Sequence, residues 1–334
     1  MERVKVGVVG LGWISQVAHI PVLSRLPEAD LVAACDVDKG RGRLVGEKFG
    51  IERVYVDLQQ MMEHEDLDAI VVATSTDAHK ETTLAALEAG KDVLVEKPIA
   101  RRFAEAAAIA EAAKQHKRKV MVGMNHRFRP DTMILKSFIE GKELGKVFHT
   151  KAGWLRRKRS DIDWVTQKEK SGGGVFLDLG IVMLDMAFWM MGYPDVKGVS
   201  ATHFHHTTRN VEDTSIVSIT MKNGSLITIE VSWSMTVGDD LYYCNIYGTD
   251  GTATLSPLQV NKELHGSLVN LAPAKIDPPG QLFKKSYENE LRHFLGAVKG
   301  LHPIVSTADE AVQRMQVVDA VYKSARTRKE VIIR

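Results

Sequence analysis

Cysteine is nearly missing from this sequence: 334 residues hold only Cys35 and Cys244, far apart in the chain. Two such residues build neither a disulfide framework nor a Cys-rich zinc domain. A surplus of positive charge is missing too. Lys and Arg number 44 against 42 Asp and Glu, a formal net charge of +2, whereas a dedicated nucleic-acid binder needs a basic surplus for its phosphate contacts. No uninterrupted apolar run reaches the ~18 residues that span a bilayer. Met1 to Gly10 reads as a strand and lacks the apolar core of a signal peptide. No internal repeat or low-complexity linker is present. The expectation is a globular cytoplasmic protein with no nucleic-acid or membrane partner, long enough for two domains.

What is present changes character along the chain. Val4 to Val9, Leu31 to Cys35, Ala69 to Ala73, Val93 to Val95 and Val120 to Val122 are short apolar runs rich in Val, Ile and Ala. Such runs suit strands buried on both faces. Helical stretches separate them: Ile14 to Leu26, Ala78 to Ala89 with Gly90 as a C-terminal glycine, and Ala-rich Phe103 to Gln115. This alternation predicts a doubly wound parallel sheet, an α/β domain over residues 1–123. From 124 to 334 the pattern turns to alternating strands, Ser215 to Thr220 and Ser225 to Trp233, with Asn223-Gly224 between them as a hairpin turn and Asp250-Gly251 as another. An α+β domain with a large open, mainly antiparallel sheet is expected there. Helices near Gly172 to Met191 and Lys284 to Val298 should pack on one face, and Thr307 to Ala325 closes the chain. The other face calls for cover by a second copy, in a homodimer or homotetramer.

Gly10-Leu11-Gly12-Trp13-Ile14-Ser15 joins the first strand to the first helix. Gly10 permits the tight turn, and Gly12 lets backbone approach a pyrophosphate at the helix N-terminus. Ser15 replaces a third glycine at a position that tolerates small side chains. Asp36, ending the next strand, can accept hydrogen bonds from both ribose hydroxyls and repels a 2′-phosphate, so NAD is favoured over NADP. Lys39 and Arg41 nearby soften that preference. Glu96-Lys97-Pro98 ends the fifth strand, where strand C-termini face the ligand crevice. Partial desolvation there suits Lys97 to proton transfer. Glu96 is its partner or bonds on the nicotinamide side. A structural Glu–Lys pair is the plainer reading.

With the glycine loop, Asp36, Thr74-Ser75-Thr76-x-x-His79 and Glu96-Lys97-Pro98, the chain resembles the glucose–fructose oxidoreductase, inositol 2-dehydrogenase and rhizopine-catabolism (Gfo/Idh/MocA) family. The likeness continues through Gly123-Met124-Asn125-His126-Arg127-Phe128-Arg129-Pro130 and Gly172-Gly173-Gly174-x-x-x-Asp178-x-Gly180-x-x-x-x-Asp185 to the tail, Ser324 to Val331. The resemblance implies hydride transfer between NAD(H) and a secondary hydroxyl, or its ketone, of a sugar or cyclic polyol. It implies that Gly10 to Ile14 cradle the pyrophosphate and Asp36 reads the ribose. Thr74, Ser75, Thr76 and His79 would line the cofactor cleft, and Glu96, Lys97, Asn125, Trp164 and Tyr287 would lie by the nicotinamide. Substrate would meet Lys97, Arg127, Arg156, Arg157, Asp178 and Val182.

One departure is visible. Members of that family carry a histidine in Asp-x-Gly-x-His-x-x-Asp; here that position is Val182. An imidazole is the side chain best tuned for proton transfer near neutrality, so three readings stay open. Lys97 carries the proton alone or with Asp178, another residue such as His126 or Tyr243 reaches the same point, or the chain is a weak enzyme or none. Lys97 as acid/base with Asp178 orienting a hydroxyl is the reading adopted. A redox-neutral glycoside-cleaving enzyme and a non-catalytic cofactor- or sugar-binding protein are the rivals. Arg156 to Arg159 offer an anion-binding rim, of which Lys158 and Arg159, partly balanced in charge by Asp161 and Asp163, read as solvated loop. His203-x-His205-His206 lacks a completing ligand, so no metal is expected.

Overall fold

The apolar runs of the first part become strands whose side chains are almost wholly buried. In a computed structural model of the chain, which describes residues 2–333 apart from 158–162, 237 and the side chain of Asp163, these strands are β1 (Val4–Val9), β2 (Ala29–Cys35), β3 (Val54–Tyr55), β4 (Ala69–Val72), β5 (Asp92–Glu96) and β6 (Val120–Gly123). They form one parallel sheet in the order β3-β2-β1-β4-β5-β6. Order reverses between β1 and its neighbours β2 and β4, which places a crevice beyond the C-terminal ends of those strands. Val6, Val8, Ile70, Val71, Leu94 and Val122 are all inaccessible to solvent, as a two-sided core requires.

The described residues divide into two compact units. The first holds the chain up to Asn125 together with Lys284–Gln313; the second holds His126–Phe283 and the chain from Arg314. The helix expected over Lys284 to Val298 forms as Pro279–Val298. From Lys284 on it belongs to the first unit, not to the cover of the second sheet as the sequence suggested. Its partners in that unit are specific. Asn125 Nδ2 donates to Ser286 Oγ at 3.0 Å, and the Tyr287 ring meets the His19 ring edge-on, centroids 5.6 Å apart.

The second unit carries β7 (Val147–Leu155), β8 (Val196–Phe204), β9 (Thr214–Met221), β10 (Leu226–Ser232), β11 (Leu241–Gly248), β12 (Thr252–Leu255), β13 (Gln259–Leu264), β14 (Ser267–Asn270) and β15 (Val331–Ile332). They form a nine-stranded sheet in the order β14-β13-β12-β11-β7-β10-β9-β8-β15, antiparallel except where β10 meets β7. Asn223-Gly224 makes the β9–β10 hairpin as its chemistry demands, Gly224 standing at φ +85°. Ile227, Ile229, Val231 and Trp233 are buried, and the helix Ile181–Met191 packs over β7, β10 and β11. The stretch Lys168–Met191 has the length and composition to cross a membrane, but 83% of its most apolar window is buried in the protein. It is a core helix.

Candidate active site

In the first unit the glycine loop is built by close backbone approach. Gly10 has φ +88°, and a Cβ there would lie 2.6 Å from the carbonyl of Ala73. Only glycine lets β1 and β4 end so near each other. Gly12 is the opposite case: a Cβ there would meet nothing within 4 Å. That open space above a turn leading into a helix is the cradle an anionic pyrophosphate needs. Leu11 is buried, Ile14 half-buried, and Trp13 is 66% exposed. Ser15 Oγ donates to Gly10 O, which explains why a serine serves where a third glycine is common. The residues from Ser15 to His19 coil as a π-helical turn.

Asp36 is 4% exposed. Its Oδ2 accepts from Leu11 N at 2.8 Å and its Oδ1 from Asp38 N at 2.8 Å. Two backbone amides thus fix the carboxylate beside the loop. Arg41 Nη1 also reaches Oδ2, at 3.2 Å. On β4's far side, Thr74, Ser75 and Thr76 form the entry to the helix Thr76–Glu88. His79 is buried, with Nδ1 2.8 Å from Pro98 O and Nε2 3.1 Å from Thr74 O. Burial holds its pKa below the ordinary value despite both carbonyls. A neutral ring donates to one of them, and the shorter contact favours Nδ1. His79 therefore ties the β4 end to the loop after β5.

Lys97 stands half-buried just past β5, and its bond to Pro98 is cis. Glu96, 8% exposed, points inward: Oε1 faces His19 Nε2 at 2.8 Å, and Oε2 accepts from Lys97 N at 3.1 Å. Burial pushes its carboxyl up, but the hydrogen bond and electrostatic attraction of His19, then the charge and amide of Lys97, outweigh that and leave it below its ordinary value. Tyr287 is buried and its hydroxyl is pushed well up by burial. His19 escaped the sequence reading. Its signal, a polar residue on the otherwise buried side of the first helix, is legible only once Glu96 is known to point inward.

In the second unit Asp178 lies half-buried on a π-helical turn, Phe176–Gly180, which packs on β7, β9 and β10. Such turns are frequent at functional sites. Gly180 exists for packing, since a Cβ would lie 2.4 Å from the Phe176 ring. Val182 is 4% exposed among Ile181, Met183 and Leu184. Trp164 is half-buried on the short turn Asp163–Thr166. Arg156 Nε bonds Asp240 Oδ2 at 2.9 Å and lies over the Trp154 ring, while Arg157 is exposed. Lys158, Arg159 and Asp161 lie outside the described residues, as does the Asp163 side chain. His126, the alternative proton carrier, contacts Tyr242 Oη at 3.0 Å, and Tyr243 bonds Glu230.

Arg127, expected at the substrate, is 1% exposed. It grips Asp185 with two bonds, 2.8 Å and 2.6 Å, and Arg314 reaches the same carboxylate at 2.7 Å. Burial drives the Asp185 carboxyl up; Arg127 and then Arg314 overcome it, and it ends below its ordinary value. This is an internal anchor between the residues after β6, the helix Ile181–Met191 and the last helix, Ala308–Thr327. Glu212 accepts from Gly174 N at 3.1 Å, Phe176 N at 3.0 Å and Tyr322 Oη at 2.7 Å. Among the described residues no three His, Cys, Asp or Glu converge on a point.

Comparison with known proteins adds the chemistry. The profile of an oxidoreductase family's NAD-binding Rossmann-fold domain matches residues 4–124, and that of the same family's C-terminal alpha/beta domain matches residues 136–333. D-glucoside 3-dehydrogenase of Escherichia coli is 28% identical, covering 97% of this chain and 95% of that protein. Myo-inositol 2-dehydrogenase of Thermotoga maritima is 26% identical, covering 98% of each. The crystal structure of GenD2 from gentamicin A biosynthesis, in complex with NAD, superposes with a TM-score of 0.87 at 26% identity, over 100% of this chain and 97% of that one.

Proposed function

We propose that this chain, which belongs to the Gfo/Idh/MocA oxidoreductase family, oxidises a secondary hydroxyl of a sugar or cyclic polyol with NAD, or reduces the corresponding ketone. The observation that carries the reading is the pairing of a vacant-topped glycine turn with the amide-pinned Asp36. Together they fit the pyrophosphate and ribose of the dinucleotide. When bound, NAD supplies the hydride acceptor. The chain's own residues do the rest. Gly10 to Ile14 receive the pyrophosphate, and Asp36 accepts from the ribose hydroxyls. Thr74, Ser75, Thr76, His79, Asn125, Trp164 and Tyr287 shape the cofactor's surroundings. Lys97 takes the hydroxyl proton in oxidation and returns it in reduction, and Asp178 accepts a hydrogen bond from a neighbouring hydroxyl.

Val182 puts no imidazole at the position where the family resemblance implies a histidine, so the proton load falls on Lys97. The curated relatives named for glucosides and inositol support the substrate class. Self-association through the second sheet is part of the same proposal. Its face away from the helix carries half-exposed Ile216 beside Thr228 and Glu230, and light scattering after gel filtration measures the mass. Two buried, unpaired cysteines agree with a reducing cytoplasm.

The test is a panel of glucosides, anhydrosugars and inositols incubated with NAD. NADH should appear in step with a ketone on the substrate. A substrate consumed with no NADH accumulating would instead support redox-neutral cleavage.

A further inference from the structure

We propose that Arg156 and Asp240 work as one charge-balanced pair that selects an uncharged sugar or polyol: the guanidinium donates to its hydroxyls, the carboxylate accepts from them, and a sugar acid or phosphate is disfavoured. This deepens the sugar or polyol assignment and rests on it. The sheet sets the pair's place. Trp154 on β7 lies opposite Val231 on β10, and Val231 is buried. Trp154 therefore shares the face on which the helix Ile181–Met191 and the turn carrying Asp178 pack. Tyr242 on β11 lies opposite Trp154 on its other side. The two rings meet edge-on with centroids 5.4 Å apart, and the His126 ring lies 5.1 Å from one and 5.2 Å from the other. All three are half-buried, an aromatic wall suited to the apolar face of a sugar ring. Arg156, two residues beyond Trp154, lies over the Trp154 ring at 5.7 Å. It thus borders both the wall and Asp240.

What each nearby arginine holds decides the charge. Arg156 Nε donates to Asp240 Oδ2 at 2.9 Å, and Asp240 Oδ1 accepts the Arg157 amide at 3.3 Å. Arg129, over the Tyr242 ring at 5.0 Å, is bound to Asp131 by contacts of 3.1 and 2.7 Å. Arg127 is bound to Asp185. Each of these three cations is matched by a carboxylate of the chain itself, and the same face bears a further acid, Asp178. An anionic group arriving at the wall would have to part a formed ion pair. A hydroxyl can join one instead, donating to Asp240 and accepting from Arg156. The Nε contact leaves that option open, since it engages neither Nη group. With side chains 38% and 42% exposed, the pair adds little to stability. Its place beside the wall is better accounted for by a ligand than by the fold.

The test compares matched neutral and anionic ligands on the NAD-loaded protein: methyl β-D-glucoside with methyl β-D-glucuronide, methyl β-D-galactoside with its uronide, and myo-inositol with its 1-phosphate. Saturation-transfer NMR titrations give the dissociation constants, and NADH formation is followed alongside. In whichever pair binds, the wild type should hold the neutral member about tenfold or more tightly than the anion. Asp240→Asn keeps an acceptor for Arg156 but removes the charge, and should close that gap about tenfold by gaining the anion. Arg156→Gln leaves Asp240 unmatched and should widen the gap. A merely structural ion pair would weaken both members together and leave their ratio alone. A ratio unmoved by both variants, or moved the same way by both, overturns the proposal, as does a wild type that prefers the anion. Turnover of a neutral ligand with an unmoved ratio would keep the sugar or polyol assignment and discard the role of the pair. Intact NADH binding with no member of any pair bound would remove the assignment and this proposal with it.

Discussion

At residue scale the decisive groups are few and inward-facing. Asp36 has three of its four acceptor sites occupied, by Leu11 N, Asp38 N and Arg41, so a ribose diol must displace the half-exposed Arg41 guanidinium to be held twice. Asp36→Ala should weaken NADH about tenfold or more and narrow the gap to NADPH, because it removes two acceptors for the ribose and the repulsion of a 2′-phosphate. A fluorescence titration with both nucleotides measures it; an unchanged preference would show that Asp36 does not read the ribose. The places of Gly10, Asp36 and Lys97 at strand ends were legible in the sequence because a tight turn, a strand-end acid and a strand-end lysine each occupy a position fixed by the parallel sheet. Arg127 was misread because no local pattern distinguishes an arginine facing a ligand from one facing a buried aspartate 58 residues later.

The polar anchors that set the second sheet's long helix belong to the element scale. The Gly172-Gly173-Gly174 run is explained by what approaches it. A Cβ on Gly173 would strike the Tyr322 hydroxyl, and one on Gly174 would strike Glu212. Glu212 then accepts the amides that a helix start leaves unpaired. Burial raises its pKa over the opposing hydrogen bonds. The native state therefore holds this proton more tightly than the unfolded chain, and its contribution to stability declines as pH rises from 4.5 through the raised value. Glu212→Ala takes the acceptor from the Phe176 amide and the Tyr322 hydroxyl, leaves Gly174 N only Tyr322 Oη at 3.2 Å, and should cost about 2–4 kcal/mol in denaturant unfolding. A loss under about 0.5 kcal/mol would mean that the cap is idle. The triple glycine was visible in the sequence, but its acceptor 38 residues on was not, since capping by a distant loop leaves no spacing to read.

Over the whole molecule, the parallel and antiparallel sheets were both legible, because continuous apolar runs and alternating ones bury different numbers of faces. The return of Lys284–Gln313 to the first unit was not, since an amphipathic helix does not state which core receives it. Acid stability depends on Asp185. Its folded pKa lies below 3.8, so the native state binds fewer protons than the unfolded chain. That contribution is complete above pH 3.8 and is lost as pH falls through the lower folded value. Asp185→Asn leaves two buried guanidiniums facing no charge there, and should cost about 3–5 kcal/mol near neutrality. Its melting temperature should fall less steeply than that of the wild type below pH 3.8; parallel slopes would show that other carboxyls govern the acid limb.

The central claim is that Lys97 carries the proton in an NAD-dependent oxidation. The direct measurement is the rate of NADH formation by wild type and Lys97→Ala on whichever glucoside or inositol the wild type turns over, with NADH affinity determined for both. Loss of at least a hundredfold in rate with NADH affinity within about twofold is the result expected of an acid/base that leaves the pyrophosphate cradle untouched. Turnover by Lys97→Ala at the wild-type rate would contradict it, and would pass the proton to another group.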